Sequence, residues 1–255
     1  MAASACPGLF RIVPARDGGI CRLKLALGHL SSDAARAVAA AAARFGNGDI
    51  DVTNRANLQL RGVSAEDETP LIAALLAAGL GPTRPEADDI RNVMVSPVAG
   101  LDPAQAINAL PLARDLLERL QANDRYAALS PKFCIQVDGG ESVAAMDHPH
   151  DIWLASMGDG RMALGLAGSP PTDAGDATMF VAVDEAQAVA AVGAALDLFL
   201  EQASRDADIK RMRNLLAQMT RAEFFDRLSG KVAISHAASW RRALPEFLGH
   251  VGIHA

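Results

Sequence analysis

The chain has 255 residues, half of them hydrophobic, and a formal net charge of −6. That length supports one large core or two smaller ones, and the negative balance excludes a surface for phosphate backbones, which needs a basic excess. No apolar run approaches the roughly 20 residues that cross a bilayer, and the opening Met1-Ala2-Ala3-Ser4-Ala5-Cys6-Pro7 has no charged region followed by an apolar stretch. A soluble, cytoplasmic protein with neither nucleic-acid nor membrane partners is expected.

From Ile20 to Leu30 apolar and polar residues alternate at the start, which predicts a strand with one wet face. Ser31 or Ser32 then caps an alanine- and arginine-rich helix through Phe45. Gly46-Asn47-Gly48-Asp49 stops it, with glycines suited to a left-handed cap. Strands over 49–53 and about 57–63 follow. Ser64 opens a second helix that runs to Gly79, with Glu66, Asp67 and Glu68 in its first turn, where the helix dipole favours acids. Strand, helix, strand, strand, helix is the order of an α+β, ferredoxin-like half-domain.

Residues 81–90 contain two prolines and read as a connector and domain boundary. A strand at 91–96 follows, then a helix from Asp102-Pro103 to about Asn123, with Pro103 in its first turn. Further strands are expected at 132–138, 151–156, 161–167 and 178–183, and helices at 184–206 and 208–228. The last stretch, 231–255, carries few signals.

Cys6, Cys21 and Cys134 form no close pair. Four thiolates normally hold a [4Fe–4S] cluster and paired spacing marks structural zinc, so these read as reduced thiols and no metal ligand is assigned. Asp147-His148-Pro149-His150-Asp151 packs ligand-type residues closely, but its proline and spacing suit a turn better. His236, His250 and His254 are isolated. Met212 and Met219, two helical turns apart, read as core.

Three segments carry more. If residues 55–61 are a strand, period-two alternation places Arg55, Asn57, Gln59 and Arg61 on one face, with Leu58 and Leu60 pointing into the core. Guanidinium groups there would suit carboxylates, which the arginine fork pairs two oxygens at a time. Arg91 opens the strand Arg91-Asn92-Val93-Met94. In Pro131-Lys132-Phe133-Cys134-Ile135-Gln136-Val137, alternation sets Lys132, Cys134 and Gln136 opposite Phe133, Ile135 and Val137.

In this order, Thr53-x-Arg55-x-x-x-Gln59-x-x-Gly62, Arg91-Asn92-Val93 and Pro131-Lys132-Phe133 resemble the nitrite/sulfite reductase family. The resemblance implies that Arg55, Arg91 and Lys132 present positive charge to a substrate anion and to the carboxylates of a tetrapyrrole. Where the family's strand has a second lysine, this sequence has Cys134. That loss of charge favours the precorrin-3B synthase branch, which hydroxylates precorrin-3A with molecular oxygen and forms a lactone. Cys6-Pro7, Gly46-Asn47-Gly48, Asn57-Leu58-Gln59-Leu60-Arg61-Gly62 and Ser96-Pro97-Val98-Ala99-Gly100-Leu101-Asp102-Pro103 are also similar to that branch.

The expected division is a ferredoxin-like half-domain over 1–80, a linker at 81–90 and a reductase-like domain over 91–255. The family implies a 4Fe–4S cluster, whose ligands would belong to a second half not present in this sequence. The substrate-binding set is then Arg55, Asn57, Gln59, Arg61, Arg91 and Lys132, and the partner precorrin-3A, with a second copy of the chain or a missing C-terminal half beside it. The alternatives are a siroheme-binding sulfite or nitrite reductase fragment and a tetrapyrrole-binding protein without turnover.

Overall fold

The computed structural model describes residues 6–144, 146, 148–237 and 239–244. It divides into two compact units, one of residues up to Asn92 together with 117–132, the other of residues 93–116 together with those from Phe133 on. The expectations for Asp147, His250 and His254 lie outside the described residues.

The first unit is built on a four-stranded antiparallel sheet in the order β1 (Val13–Ala15), β2 (Gly18–Leu23), β4 (Leu58–Val63), β3 (Ile50–Val52). Alternation in β2 and β4 turns Cys21, Leu23, Leu58 and Leu60 to one face, and a register shift beside Gly62, at φ 71°, returns Val63 to it. There they form a core with Val38, Ala41 and Ala42 of α1 (Ser32–Phe45) and Leu71 and Leu75 of α2 (Glu68–Ala77). Burying each leucine is worth about 1.5–3 kcal/mol, and the alanines of α1 make its packing face shallow.

Ser31 caps α1 as expected, its hydroxyl accepting the Ala34 N–H at 3.2 Å. The left-handed residue after that helix is Gly48, at φ 90°, whereas Gly46 is extended. Gly46 has a different use: a Cβ there would lie 2.4 Å from the Arg61 carbonyl oxygen. The second helix begins at Glu68 rather than at Ser64, because Ser64 and Asp67 close a turn of their own.

The 81–90 stretch, expected as a connector, ends in a 3₁₀ turn over Pro85–Ile90 that buries Ala87, Asp88 and Ile90 within the first unit. Arg84 donates to the Gln121 carbonyl oxygen at 2.6 Å and pairs with Asp124, beside a second 3₁₀ turn that buries Tyr126.

The second unit carries a six-stranded sheet in the order β10 (Ser235–His236), β9 (Phe180–Asp184), β8 (Arg161–Gly168), β7 (His150–Ser156), β6 (Ile135–Asp138), β5 (Val93–Met94). β5, β6 and β7 are parallel and the rest antiparallel. Parallel strands are covered on both faces, so Cys134 and Gln136 are as buried as Phe133 and Ile135. α4 (Ala188–Ala203) supplies Phe199, whose ring centroid lies 4.9 Å from that of Phe133.

Two expected helices differ. α3 (Leu110–Ala122) starts at Leu110, just before Pro111, rather than at Asp102-Pro103. The reason is Asp102, which is buried and accepts from Ala104 N and Ser142 N, holding its segment in a loop. The helix expected over 208–228 is broken into α5 (Met212–Leu215) and α6 (Arg221–Ser229), because Thr220 and Glu223 form a capping box between them. Among the described residues, no helix is long and apolar enough to cross a membrane.

Candidate functional site: a cationic cavity in the first unit

The four residues expected on one face have separate roles. Arg55 sits in the hairpin turn Thr53–Asn57, where Thr53 Oγ1 accepts the N–H groups of Arg55 and Asn57 and Ala56 takes φ 52°. Asn57 is buried, and its Oδ1 accepts the Leu25 N–H at 3.1 Å. Gln59 accepts from Arg22, its cross-strand neighbour, at 2.7 Å. Arg61 is ion-paired to Asp17 at 2.8 Å and to Asp51 at 3.2 Å. Those bonds raise the Arg61 guanidinium above its ordinary pKa and hold the Asp17 carboxyl below the usual range. Lys132 is exposed, just before β6. The sheet face is thus a ladder of satisfied polar pairs, with Arg55 at its end and Lys132 outside it.

Arg91 is different. It is 5 % exposed and lines a cavity of about 270 Å³ together with Lys24, His29, Ser31 and residues 78–81. Its guanidinium is poorly served: Nη1 donates to the Gly81 carbonyl oxygen at 3.3 Å, Nη2 lies 3.5 Å from Asp88, and Nε has no acceptor. Burial lowers its pKa from the ordinary arginine value, against the pull of Asp88.

Lys24 is the second buried cation, 3 % exposed. The residues flanking it, Leu23 and Leu25, point into the core, so the lysine points the other way, into the cavity. Its Nζ donates to the main-chain carbonyl oxygen of Asp89. Burial pushes its pKa down to about 8, with Arg91 and Arg22 adding to the effect and Asp89 and Asp88 partly offsetting it. The N-terminus of α1, marked by Ser31, also borders the space, and unpaired N–H groups at a helix start favour anions.

The loop that carries this wall is held under strain. Leu27 adopts φ 55° and Gly28 φ 73°, and a Cβ on Gly28 would meet that of Ala56 at 2.8 Å. A left-handed non-glycine residue costs about 1–2 kcal/mol, offset here by the Asn57–Leu25 hydrogen bond. Alternation missed Lys24 because it ranks residues by face. The signal the sequence offers is a lone lysine between two leucines, Leu23-Lys24-Leu25.

A second buried charged cluster occupies the other unit. Arg242 donates to both oxygens of Asp138, at 2.6 and 2.9 Å, and to the Glu141 carbonyl oxygen at 2.6 Å. Burial beside Asp138 raises the Glu141 carboxyl to about 7. Arg242 fills this cluster, so it offers less to a ligand than the cavity does.

The thiols do not make an iron site. Cys21 and Cys134 are fully buried, and burial pushes the Cys21 thiol up to about 12. Among the described residues no group of three or more His, Cys, Asp or Glu side chains could hold a metal ion. The sequence has three cysteines against the four thiolates a [4Fe–4S] cluster takes, so the residues present do not fit that group.

Comparison with known proteins adds an independent finding. Residues 86–234 match the family described as "Nitrite and sulphite reductase 4Fe-4S domain", and residues 13–78 match "Nitrite/Sulfite reductase ferredoxin-like half domain". A precorrin-3B synthase from Sinorhizobium sp. is 34% identical over 146 residues, which cover 55% of this chain and 29% of that protein. A ferredoxin–nitrite reductase from Synechococcus elongatus is 37% identical over 126 residues, covering 48% of this chain and 25% of that protein. The fold is similar to that of the Mycobacterium tuberculosis NirA protein, with TM-score 0.63 and 18% identity over 84% of this chain and 40% of that one. The matched stretches thus span about a quarter to a third of these two curated relatives.

Proposed function

The chain belongs to the nitrite and sulphite reductase 4Fe-4S domain family, and we propose that it holds the carboxylate fringe of a tetrapyrrole, of the kind a precorrin-3B synthase acts on, with the cavity between Lys24 and Arg91 taking one carboxylate arm. The observation that carries this reading is the buried Arg91 guanidinium, whose Nε has no acceptor and whose other contacts are 3.3 and 3.5 Å long. A buried donor left without a partner costs about 1–3 kcal/mol. An entering carboxylate would supply the missing acceptor and face both cations at once, neutralising one unit of their charge.

Size supports an arm rather than a whole macrocycle. Sites that bury a complete small molecule run from about 300 to 1,000 Å³, and this cavity is about 270 Å³. The tetrapyrrole ring would therefore lie outside the cavity, and in this reading Arg55, at its hairpin turn, and Lys132, just before β6, would meet its other carboxylates. The reading assigns binding and orientation to this chain. It assigns no electron delivery, because the ligands of the iron–sulfur cluster are not among its residues.

A second reading, a siroheme protein acting on nitrite, is favoured by the nitrite reductase likeness and by the ability of the same two cations to take a small oxyanion. Cys134, buried where the family's second lysine would stand, weighs against it.

The test is absorbance titration of the full chain with uroporphyrin, an octacarboxylate tetrapyrrole bearing acetate and propionate arms, and with nitrite as competitor. Saturable uroporphyrin binding that is lost in Lys24→Gln and untouched by nitrite is expected. Nitrite binding without uroporphyrin binding would transfer the cavity to the second reading. Failure of both to bind would end the proposal.

A further inference from the structure

The two cations of the cavity differ in what they can do with a proton. Arginine does not give its proton up in proteins, whereas a buried lysine does so readily. The surroundings of Lys24 leave its ammonium poorly compensated. Asp89 spends its carboxylate on Arg11, accepting at 2.7 and 2.8 Å, and offers Lys24 only its carbonyl oxygen. Asp88 accepts the Leu9 N–H at 2.8 Å with one oxygen and faces Arg91 with the other. Arg91 lines the same cavity, Arg22 lies two residues back on β2, and His29 and Ser31 complete the wall. Two buried like charges thus line one cavity with no carboxylate given over to Lys24, and the one able to yield its proton is Lys24.

We propose that anion binding here is proton-coupled: Arg91 is the fixed charge, Lys24 the titrating one, and an entering carboxylate brings a proton from solvent onto the Lys24 amine. This rests on the reading of the cavity as an anion site and adds its regulation. The step balances as neutral amine, proton and carboxylate giving an ammonium–carboxylate pair. The direction of the Lys24 pKa, pushed down to about 8 by burial, agrees with that geometry. Affinity is then full below pH 8 and fades in mildly alkaline solution, where surface lysines would still be charged.

The experiment is uroporphyrin titration of the full chain from pH 7 to pH 10, a range in which the ligand's carboxylates stay ionised. Wild-type affinity should weaken on the order of tenfold per pH unit above pH 8. Calorimetry in two buffers of different ionisation heat should show uptake of roughly three-quarters of a proton per site at pH 8.5. Lys24→Arg keeps the positive charge and should bind with an affinity that no longer depends on pH. Saturable wild-type binding that is flat from pH 7 to pH 10 would overturn the inference and leave the anion site standing. The wild-type slope persisting in Lys24→Arg would overturn it equally. Absence of binding at every pH would remove the anion site itself.

Discussion

Two regions of the first unit carry arginine and respond to it in opposite ways. On the open face of the four-stranded sheet, Arg61 is gripped by Asp17 and Asp51 and Arg22 by Gln59, so each guanidinium has a side-chain acceptor and that of Arg61 has opposite charge beside it. In the cavity, Arg91 and Lys24 are more deeply buried and yet less well partnered. Desolvation is costly for a charge without a partner and small for an exposed pair. Burying two cations side by side with donors left unmet is an arrangement that fold stability alone disfavours. The contrast teaches that unmet donors, rather than charge, separate a binding wall from a solvated face.

The comparison breaks most easily at Arg91. Arg91→Lys keeps the charge and loses the planar fork, so uroporphyrin affinity should fall by roughly tenfold or more, with far-ultraviolet circular dichroism unchanged. Affinity equal to wild type would mean that the cavity reads charge alone and has no use for the unpaired Nε.

Lys24→Met separates binding from stability. The folded pKa of Lys24, about 8, lies below its ordinary 10.5. Between those values the unfolded chain binds more protons than the folded one, so stability rises with pH across that window. Below pH 8 the full penalty is present, on the order of 3 kcal/mol at most. Lys24→Met should accordingly raise the melting temperature at pH 7, flatten its dependence on pH between 8 and 10.5, and abolish uroporphyrin binding. A variant that melts lower at pH 7 would show that the ammonium is well solvated in the native state.

Asn57→Ala tests the link between hairpin and cavity. It removes the acceptor of the Leu25 N–H, at a cost of about 1–3 kcal/mol for a buried donor left unpaired. Because Leu25 adjoins Lys24, uroporphyrin affinity should drop severalfold alongside the melting temperature. Lost stability with intact affinity would detach the strained loop from the site.

Much of the fold could be read from local signals. Ser31 followed by an alanine-rich run marks α1, and alternating leucines mark β4. The errors arise where a tertiary partner overrules a local cue. Pro103 looks like a helix start, but the Asp102 carboxylate is claimed by Ser142, 40 residues away, so the helix waits until Leu110-Pro111. The Thr220–Glu223 box is a break written inside the stretch 208–228, where one helix is expected and two form. At the site, Arg91 stands out through its motif, whereas Lys24 does not, because its distinction is the lack of a carboxylate partner. Asn57 and Arg61 carry polar groups in the right alternation, yet their partners Leu25, Asp17 and Asp51 absorb them.

Arg61→Ala should have the smallest effect. Its two ion pairs sit at the surface, where such pairs contribute little and are screened by salt, so the melting temperature should move by roughly 2 °C or less. Freed from the guanidinium, the Asp17 carboxyl should titrate closer to an ordinary carboxylate, visible by nuclear magnetic resonance. Uroporphyrin affinity should stay within about twofold of wild type, since the Arg61 guanidinium is already held by Asp17 and Asp51. A tenfold loss of affinity in this variant would mean that a ligand carboxylate displaces Asp17 or Asp51. The binding wall would then be the sheet face, and the unmet donors of the cavity would need another occupant.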